Sequence, residues 1–328
     1  MNIVLVVNTK YPGSDPEYDP PETIAAIQQA IQSHGHQCRV LEADQYLPSL
    51  LGTPDLVFNI AEGSLTAGRS RESLVPALCD LLHVPYTGPD AVTAAVTLDK
   101  QMARLLVATA GIRVAEGGLF GQVRIDSIPL PIVVKPVAEG SSKGITASSL
   151  CLTYKAAREQ AVILSEQYGQ VLLEQYVPGQ EHTIALVGNG ESLDVLGSLE
   201  VRTTGSNPQW LYGREQKLDS ARLVTYHQHS KVPARLARAA KTCFHALGCR
   251  DWARIDFRLD TDGTPVFIEA NPLPGLDPLG GDFVMASGIP YPVLIGRCLD
   301  AALTRHGMVT PRGMDVLRSY GADQKPNH

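Results

Sequence analysis

The stretch from Trp252 to Leu276, WARIDFRLDTDGTPVFIEANPLPGL, decides how this chain folds. Two short runs that alternate apolar and polar residues flank Thr261-Asp262-Gly263-Thr264, whose Asp-Gly pair is a strong turn signal. The stretch therefore predicts a β-hairpin. Because side chains alternate between the two faces of a strand, one face is expected to be core, and it contains Ile255, Phe257, Leu259, Val266 and Ile268.

The opposite face of the hairpin is charged, with Arg254, Asp256 and Arg258 on the first strand and Glu269 and Asn271 on the second. A four-residue loop sets Asp256 opposite Glu269, and two facing carboxylates repel each other unless a cation lies between them. Oxygen ligands of this kind suit Mg²⁺, with Mn²⁺ as an alternative ion. We predict a metal site formed by Asp256, Glu269 and Asn271; the alternative is a solvated face with incidental charges.

The run after the second strand, Asn-Pro-Leu-Pro-Gly, is rigid and leaves a backbone N–H group available at Gly275. RIDF, a hairpin and then IEANPLPG together resemble the metal-binding signature of the ATP-grasp ligases. Within these enzymes they resemble the D-alanine–D-alanine ligase family, whose corresponding run ends in EAN, two further residues and PG. The resemblance implies ATP as the nucleotide and an α/β fold with α+β arms.

The family's architecture implies an N-terminal open α/β domain, a central lid-bearing domain and a C-terminal catalytic domain. We place their boundaries at residues 1–99, 100–181 and 182–310, followed by a loose tail at 311–328.

Composition limits the class of protein. The chain has 328 residues, is 44% hydrophobic and carries a net charge of −6, so it can bury substantial cores and does not suit a nucleic acid or membrane surface as partner. Its expected partners are small molecules, and a homodimer is the predicted assembly. No run is apolar for long enough to span a bilayer. The 6 cysteines form no C-x-x-C pair, which predicts reduced thiols in a cytoplasmic protein.

The N-terminal third shows βαβ alternation. Ile3 to Val7 is a buried parallel strand, a helix begins at Pro21, and further strands and a helix from Arg71 to Leu82 follow. Ligands of such sheets bind beyond the carboxyl ends of the strands, which indicates the loop from Asn8 to Tyr18 and Ala61-Glu62-Gly63. For Glu62, a loop carboxylate without function is an equal alternative.

A phosphate-binding loop is predicted after the β-rich run that ends at Lys135. Glu139-Gly140-Ser141-Ser142-Lys143-Gly144 follows, and its small residues let backbone N–H groups surround an anion. The sequence lacks a Walker motif, and a plain hairpin turn is the alternative. The loop nevertheless matches the family's phosphate-grasping loop in register, which implies that Lys135, Glu139, Gly140, Ser141 and Ser142 bind ATP.

The resemblance implies further nucleotide contacts. Lys100, in a helix from Asp90 to Gly111, would reach the nucleotide, although alone it is a surface charge. Glu174 would bind the adenine amino group, although an intramolecular Arg would satisfy this buried carboxylate equally well. The other implied contacts are Tyr176 and Val177 with the adenine ring, Glu181 with the ribose, and Lys217 with the phosphates.

Lys217 lies near the end of a 16-residue polar loop, Thr203 to Leu218. Loops of this length are often lids that close over an active site.

The implied chemistry is phosphoryl transfer onto a carboxylate, attack of an amine on the acylphosphate, and release of phosphate. The oxyanion that develops needs preorganised donors, and Arg254 and the Gly275 N–H are the candidates, with Ser141 in the same catalytic set. A charge-balancing salt bridge from Arg254 to Asp256 or Glu269 is the alternative for Arg254, and it is compatible with catalysis.

The substrate half departs from the family pattern. Asn8 to Ser14 lacks the early Glu that holds the first substrate's amine, Leu218 stands where the family has Tyr, and Gly280-Gly281 stands where it has Ser. We therefore expect a carboxylate–amine ligase whose substrates differ from two D-alanines. The alternatives are an authentic D-alanine–D-alanine ligase of cell-wall synthesis and a non-catalytic nucleotide-binding protein. A dinucleotide reductase is disfavoured because G-x-G-x-x-G is missing after the first strand.

Overall fold

The computed structural model describes residues 1–11, 17–63, 65–205 and 209–308, without the side chains of residues 65–67, 214 and 218. The predicted tail, residues 311–328, lies outside this part. The described helices are α1 Pro21–Ser33, α2 Leu47–Leu50, α3 Leu74–Leu82, α4 Ala91–Leu98, α5 Lys100–Thr109, α6 Tyr154–Tyr168, α7 Arg214–Leu218, α8 Ser220–Leu223, α9 Ala234–Ala246, α10 Asp282–Ser287 and α11 Tyr291–Arg305. None of them is long and apolar enough to cross a membrane.

The strands within the described ranges form three sheets. They are β1 Asn2–Val7, β2 Gln37–Glu42, β3 Leu56–Asn59, β4 Arg113–Val114, β5 Gly117–Leu119, β6 Ile132–Pro136, β7 Leu150–Cys151, β8 Val171–Gln175, β9 Glu181–Val187, β10 Asp194–Thr203, β11 Val224–His229, β12 Trp252–Leu259 and β13 Pro265–Asn271. The sheet orders are β2-β1-β3, then β5-β8-β6-β7, then β11-β10-β9-β12-β13-β4.

The first sheet is parallel, as the βαβ pattern predicts. Its carboxyl edge carries Asn8 after β1 and Ala61-Glu62-Gly63 after β3. A 3₁₀ segment, Leu65–Ser73, precedes α3, so the predicted helix start at Arg71 is wrong by three residues. This sheet packs on α11 and on the six-stranded sheet, where Phe58 stacks on Trp252 with ring centroids 5.4 Å apart.

The long helix predicted from Asp90 to Gly111 is wrong, because the chain turns at Asp99. Asp90 caps α4 by accepting from Thr93 N, and Asp99 caps α5 by accepting from Met102 N at 3.0 Å. An aspartate competes with the helix ladder for backbone N–H groups, which favours a cap over a helix interior. Lys100 therefore occupies the first position of a new helix.

The hairpin forms as predicted, between β12 and β13. Asp256 lies opposite Glu269 and Arg254 lies opposite Asn271. A β-bulge after Asp256 changes the remaining register, so that Phe257 lies opposite Phe267. The predicted core position of Ile268 is wrong for this reason: an extra residue in one strand reverses the facing of those beyond it.

The loop predicted from Thr203 to Leu218 is shorter than expected. The described part of this segment contains α7, and β11 follows where no strand was predicted. Both α7 and β11 are short elements, for which periodicity is a weak signal.

Candidate active site

One cleft between the four-stranded and six-stranded sheets gathers most of the predicted nucleotide and metal residues. It is lined, among others, by Lys100, Lys135, Glu139, Ser142, Glu174, Tyr176, Val177, Glu181, Lys217, Asp256 and Glu269. Ile268, Arg258, Tyr212 and Asp282 also line it. The cleft therefore receives groups from both sheets and from the segment predicted to be a lid, Thr203 to Leu218, which is called the lid segment below.

The predicted phosphate loop borders this cleft with Glu139 and Ser142. Ser141 and Ser142 have φ values of 46° and 55°, a left-handed conformation that is costly for residues other than Gly. Lys143 N donates to Gly140 O at 2.9 Å, which closes the turn. Lys100 Nζ donates to Glu139 O at 2.6 Å, so Lys100 lies beside the loop. The exposed Ser141 does not line the cleft.

Glu174 has intramolecular partners. Its carboxylate oxygens lie 2.6 Å from Lys135 Nζ and 3.1 Å from Arg104 Nε. Arg104 also donates to the carbonyl oxygens of Ala115 and Gly117. Glu174 is thus paired with an intramolecular Arg, the alternative that the sequence allowed, and also with Lys135. Its contact with the adenine amino group remains a prediction. Arg104 carries no sequence signal for this role.

The hairpin carboxylates are surrounded by cations. Arg254 donates to Asp256 Oδ2 at 3.1 Å and to Glu269 Oε1 at 3.3 Å, and Lys100 Nζ lies 3.3 Å from Glu269 Oε2. Burial raises the pKa of Asp256 to about 6, although Arg254 opposes this. Burial also acts to raise the pKa of Glu269, but Lys100 and Arg254 outweigh it and hold that pKa well below its usual range.

These residues fit a Mg²⁺ ion by donor chemistry. Asp256 and Glu269 are paired across the ladder and Asn271 follows on β13, which gives two carboxylates and one amide oxygen. Mg²⁺ takes one or two carboxylates from protein and its other ligands from water and phosphates. The described residues contain no group of three His, Cys, Asp or Glu side chains that could hold a metal. The site would therefore need ligands from a bound nucleotide.

Arg254 faces a third carboxylate that the sequence analysis missed. Its Nη1 lies 3.6 Å from Asp282 Oδ2 in the first turn of α10. Asp282 in turn accepts from Tyr212 of the lid segment at 3.4 Å, and Tyr212 hydrogen-bonds Tyr226 at 2.7 Å. The salt bridges from Arg254 to Asp256 and Glu269, which were the alternative role predicted for Arg254, are thus present.

Arg258 joins the segment after β8 to the lid. It donates to Gly179 O, to Trp210 O and to Tyr176 Oη, and its guanidinium stacks on the Tyr176 and Trp210 rings. Burial raises the pKa of the nearby Glu181 to about 7, and the Arg258 charge lowers it less. The sequence placed Arg258 on the charged face but gave it no role.

The lid lysine also lies at the cleft. Lys217 Nζ is 5.2 Å from the centroid of the Tyr212 ring, a distance at which a cation attracts an aromatic face. The side chain of Leu218, which replaces a family Tyr, lies outside the described residues.

Comparison with known proteins identifies the family. A family model described as D-ala D-ala ligase C-terminus matches residues 113–300. A D-alanine–D-alanine ligase of Gloeobacter violaceus is 31% identical over 299 residues, which are 85% of this chain and 92% of that protein. The chain belongs to the D-alanine–D-alanine ligase family.

The family's members are ATP-dependent carbon–nitrogen ligases, and this chain is an enzyme of that class. It is also 31% identical over 338 residues to "Uncharacterized protein y4sG" of Sinorhizobium fredii, which covers 93% of this chain and 98% of that protein. The crystal structure of a D-alanine–D-alanine ligase from Bacillus anthracis complexed with ATP has a TM-score of 0.71 at 17% identity. It covers 94% of this chain and 99% of that one. The predicted ATP-grasp fold is confirmed.

On the substrate side, a glutamate that the prediction did not consider lies close to the phosphate loop. The first βα loop does carry a glutamate: Glu17 lies beyond the searched run, Asn8 to Ser14, part of which falls outside the described residues. Its carboxylate lies 2.9 Å from Lys143 Nζ and 3.5 Å from Arg71 Nη2. A Cβ at Gly140 would lie 1.7 Å from Glu17 Oε1, so this carboxylate lies directly on the phosphate loop.

The other predicted substrate contact regions are less enclosed. Gly275 is exposed, and its N–H donates no hydrogen bond within the described ranges. Gly281 packs on the carbonyl oxygen of Gly275. Gly281 has no side chain to bind a carboxylate, and the altered substrate site stays a prediction.

Proposed function

We propose that this ligase phosphorylates the carboxylate of an amino acid or peptide with ATP and joins it to an amine, and that the carboxylate substrate, the amine substrate or both differ from D-alanine. The observation that supports the proposal is the meeting of the phosphate loop, Lys100 and Lys135 with the Asp256–Glu269 pair in one cleft. Arg254 lies within 3.3 Å of both carboxylates of that pair.

The residues divide the chemistry between them. Lys100, Lys135 and Lys217 bind phosphate oxygens. Asp256, Glu269 and Asn271 would hold Mg²⁺, which when bound would neutralise charge on the phosphates. A substrate carboxylate oxygen forms a bond to the γ-phosphorus as the bond to ADP breaks. The amine nitrogen then forms a bond to the carbonyl carbon, inorganic phosphate leaves, and the nitrogen loses a proton.

Arg254 supplies the donor for the second step. Negative charge develops on the carbonyl oxygen as the amine attacks, and a fixed guanidinium in a buried site stabilises it without reorganisation. Its contacts with Asp256 and Asp282 hold the guanidinium in place. The Gly275 N–H is the second proposed donor.

The substrate half supports a substrate other than D-alanine. A site that lacks matching polar groups gains little from a ligand that carries them, and each unmatched buried group costs about 1–3 kcal/mol. Gly280-Gly281 carries no hydroxyl, and Leu218 has none to offer the lid. An authentic D-alanine–D-alanine ligase remains the second candidate because the Gloeobacter violaceus relative has that name.

The test measures phosphate release with a panel of D- and L-amino acids and dipeptides at saturating Mg·ATP. We expect kcat/KM for D-alanine to be at least tenfold below that for the best substrate, with Arg254→Ala as the low-activity control. Efficient turnover of D-alanine alone, with D-alanyl-D-alanine as product, would make the chain an authentic ligase of that dipeptide. Tight Mg·ATP binding with no release for any substrate would indicate a non-catalytic nucleotide-binding protein.

A further inference from the structure

Tyr212 connects the lid segment to the side of the cleft that carries Arg254. It lines the cleft, and its Oη hydrogen-bonds Tyr226 Oη of β11 at 2.7 Å. The same Oη lies 3.4 Å from Asp282 Oδ1 in the first turn of α10. One hydroxyl group of the lid segment therefore contacts β11 and α10 at once.

The direction of these hydrogen bonds follows from the groups involved. A carboxylate accepts hydrogen bonds and donates none, so Tyr212 is the donor to Asp282. A phenol has one O–H group, so the proton between Tyr212 and Tyr226 comes from Tyr226. Burial and the nearby Asp282 charge raise the pKa of Tyr212, which keeps its phenol protonated. The donors therefore run from Tyr226 through Tyr212 to Asp282.

Asp282 extends this chain of contacts to Arg254. Its Oδ2 lies 3.6 Å from Arg254 Nη1, and its side chain is 13% exposed. Arg254 Nε donates to Asp256 and Arg254 Nη2 to Glu269, whereas Nη1 donates no hydrogen bond in the part of the chain that is described. Nη1 is thus the guanidinium nitrogen with donor capacity left for an oxyanion, and Asp282 is the charged group beside it.

Tyr212 also touches groups that are proposed to bind the ATP phosphates. Ser142 Oγ of the phosphate loop donates to Tyr212 O at 3.2 Å, and Lys217 Nζ lies 5.2 Å from the centroid of the Tyr212 ring. The backbone of Tyr212 thus contacts the phosphate loop, its ring the lid lysine and its hydroxyl Asp282. Because one residue makes all three contacts, placing the lid segment on the phosphate loop also places this hydroxyl on Asp282.

We propose that Tyr212 is a positioning residue for Arg254, which it orients through Asp282 for the amide-forming step. The inference rests on the proposed function for the role of Arg254 as oxyanion donor. The 3.4 Å between Tyr212 Oη and Asp282 Oδ1 is long for an O–H donor, and such contacts tighten in a reacting complex.

The proposal separates the two chemical steps. Phosphoryl transfer onto the carboxylate uses the lysines and the Asp256–Glu269 pair and does not need the Tyr212 hydroxyl. Loss of this hydroxyl therefore slows attack by the amine more than formation of the acylphosphate. Acylphosphate that waits for the amine can leave the cleft, and water then cleaves it to the carboxylate and inorganic phosphate. The expected sign is ADP production without a matching amount of amide.

The test compares amide and ADP production by Tyr212→Phe, Asp282→Asn and the double variant. The full chain receives Mg²⁺, saturating ATP and the pair of amino acids with the highest turnover in the substrate panel. We expect Tyr212→Phe to lower kcat for the amide by about tenfold or more, to form less amide per ADP, and to keep KM for ATP within about twofold. The double variant should be slower than the slower single variant by no more than about twofold, because Tyr212 acts through Asp282.

Tyr154→Phe, at the exposed start of α6, is the matched control and should leave kcat unchanged. Thermal unfolding of Tyr212→Phe, Asp282→Asn and the double variant without ligands should show losses in the free energy of unfolding that are less than additive, as for residues in contact. Where Asp282→Asn does not fold, Tyr212→Phe alone decides through the split between kcat and KM.

Three results would overturn the proposal in an active enzyme. They are an amide kcat in Tyr212→Phe equal to that of the wild type, a change confined to KM for ATP, and fully multiplied kinetic effects in the double variant. A change in KM alone would make Tyr212 a nucleotide-binding residue. Absence of amide from the wild type with every pair in the panel would instead overturn the proposed function, and with it the step that Tyr212 serves.

Discussion

Replacing Glu174 with glutamine tests whether its carboxylate is structural or binds the nucleotide. In the structure it bridges Lys135 and Arg104 at 2.6 and 3.1 Å, and all three side chains are less than 10% exposed. Removing its charge leaves two buried cations facing a neutral amide. Breaking a buried ion pair of this kind costs about 3–5 kcal/mol. The free energy of unfolding should fall by that amount, which corresponds to a fall in Tm on the order of 10 °C.

Differential scanning calorimetry without nucleotide measures this fall, and steady-state kinetics give KM for ATP. We expect both to change, since Lys135 loses the anchor that directs it into the cleft. Glu159→Gln is the control, because Glu159 pairs with Lys155 at 3.9 Å on an exposed helix face and such pairs contribute little. An unchanged Tm together with a tenfold rise in KM would refute the structural reasoning and assign Glu174 to the adenine.

Three further predictions concern charged groups. Arg254→Ala should lower kcat by about 10² to 10³ with little change in KM for ATP, since an oxyanion donor acts in the transition state; a change in KM alone would contradict this. Glu269→Gln and Asn271→Ala should each abolish the rise in Tm that Mg²⁺ and ATP cause together, and a retained rise would remove these residues from the metal site. Between pH 6.5 and 8, wild-type stability should fall as pH rises, because the pKa of Glu72 is raised to about 7 and the folded state holds its proton longer than the unfolded state. Thermal unfolding should show a smaller fall for Glu72→Gln, and equal slopes would exclude Glu72 as the source.

The metal-binding hairpin could be predicted because its information is local. Alternation and the Asp-Gly turn fix which residues face each other, and Asp256 does lie opposite Glu269. The β-bulge after Asp256 could not be predicted, since a bulge depends on how the neighbouring strands pack and not on a residue signature in this run. The turn at Asp99 had a local signal, because aspartate is a common helix N-cap and its side chain accepts from the N–H of Met102. The apolar periodicity on both sides of Asp99 nevertheless favoured one continuous helix.

The missed site residues are those whose partners are distant in sequence. Arg104 meets Glu174 across 70 positions, and Arg258 meets Tyr176 across 82. Each is an ordinary arginine on a helix or strand until folding brings the acceptor to it. Asp282 likewise becomes part of the site only when α10 packs beside β9 and β10. A single sequence carries no signal for such distant pairs. In a motif such as EAN, by contrast, the functional residues are close in sequence, so their spacing can be read directly.

The two halves of the site therefore differ in how they are built, and this difference bears on specificity. Apart from Lys100 on α5 and Lys217 on α7, the residues predicted to bind ATP and metal lie on paired strands or in the loops that follow them. A register shift there would disrupt the sheet as well as the site. Glu17, Glu62 and Glu72 lie in connections at the edge of the first sheet, where substitutions leave the ladder intact. Glu17 touches both halves, since it contacts Arg71 on one side and the phosphate loop on the other. Changes in these connections can thus alter the substrate while the phosphoryl-transfer machinery stays the same.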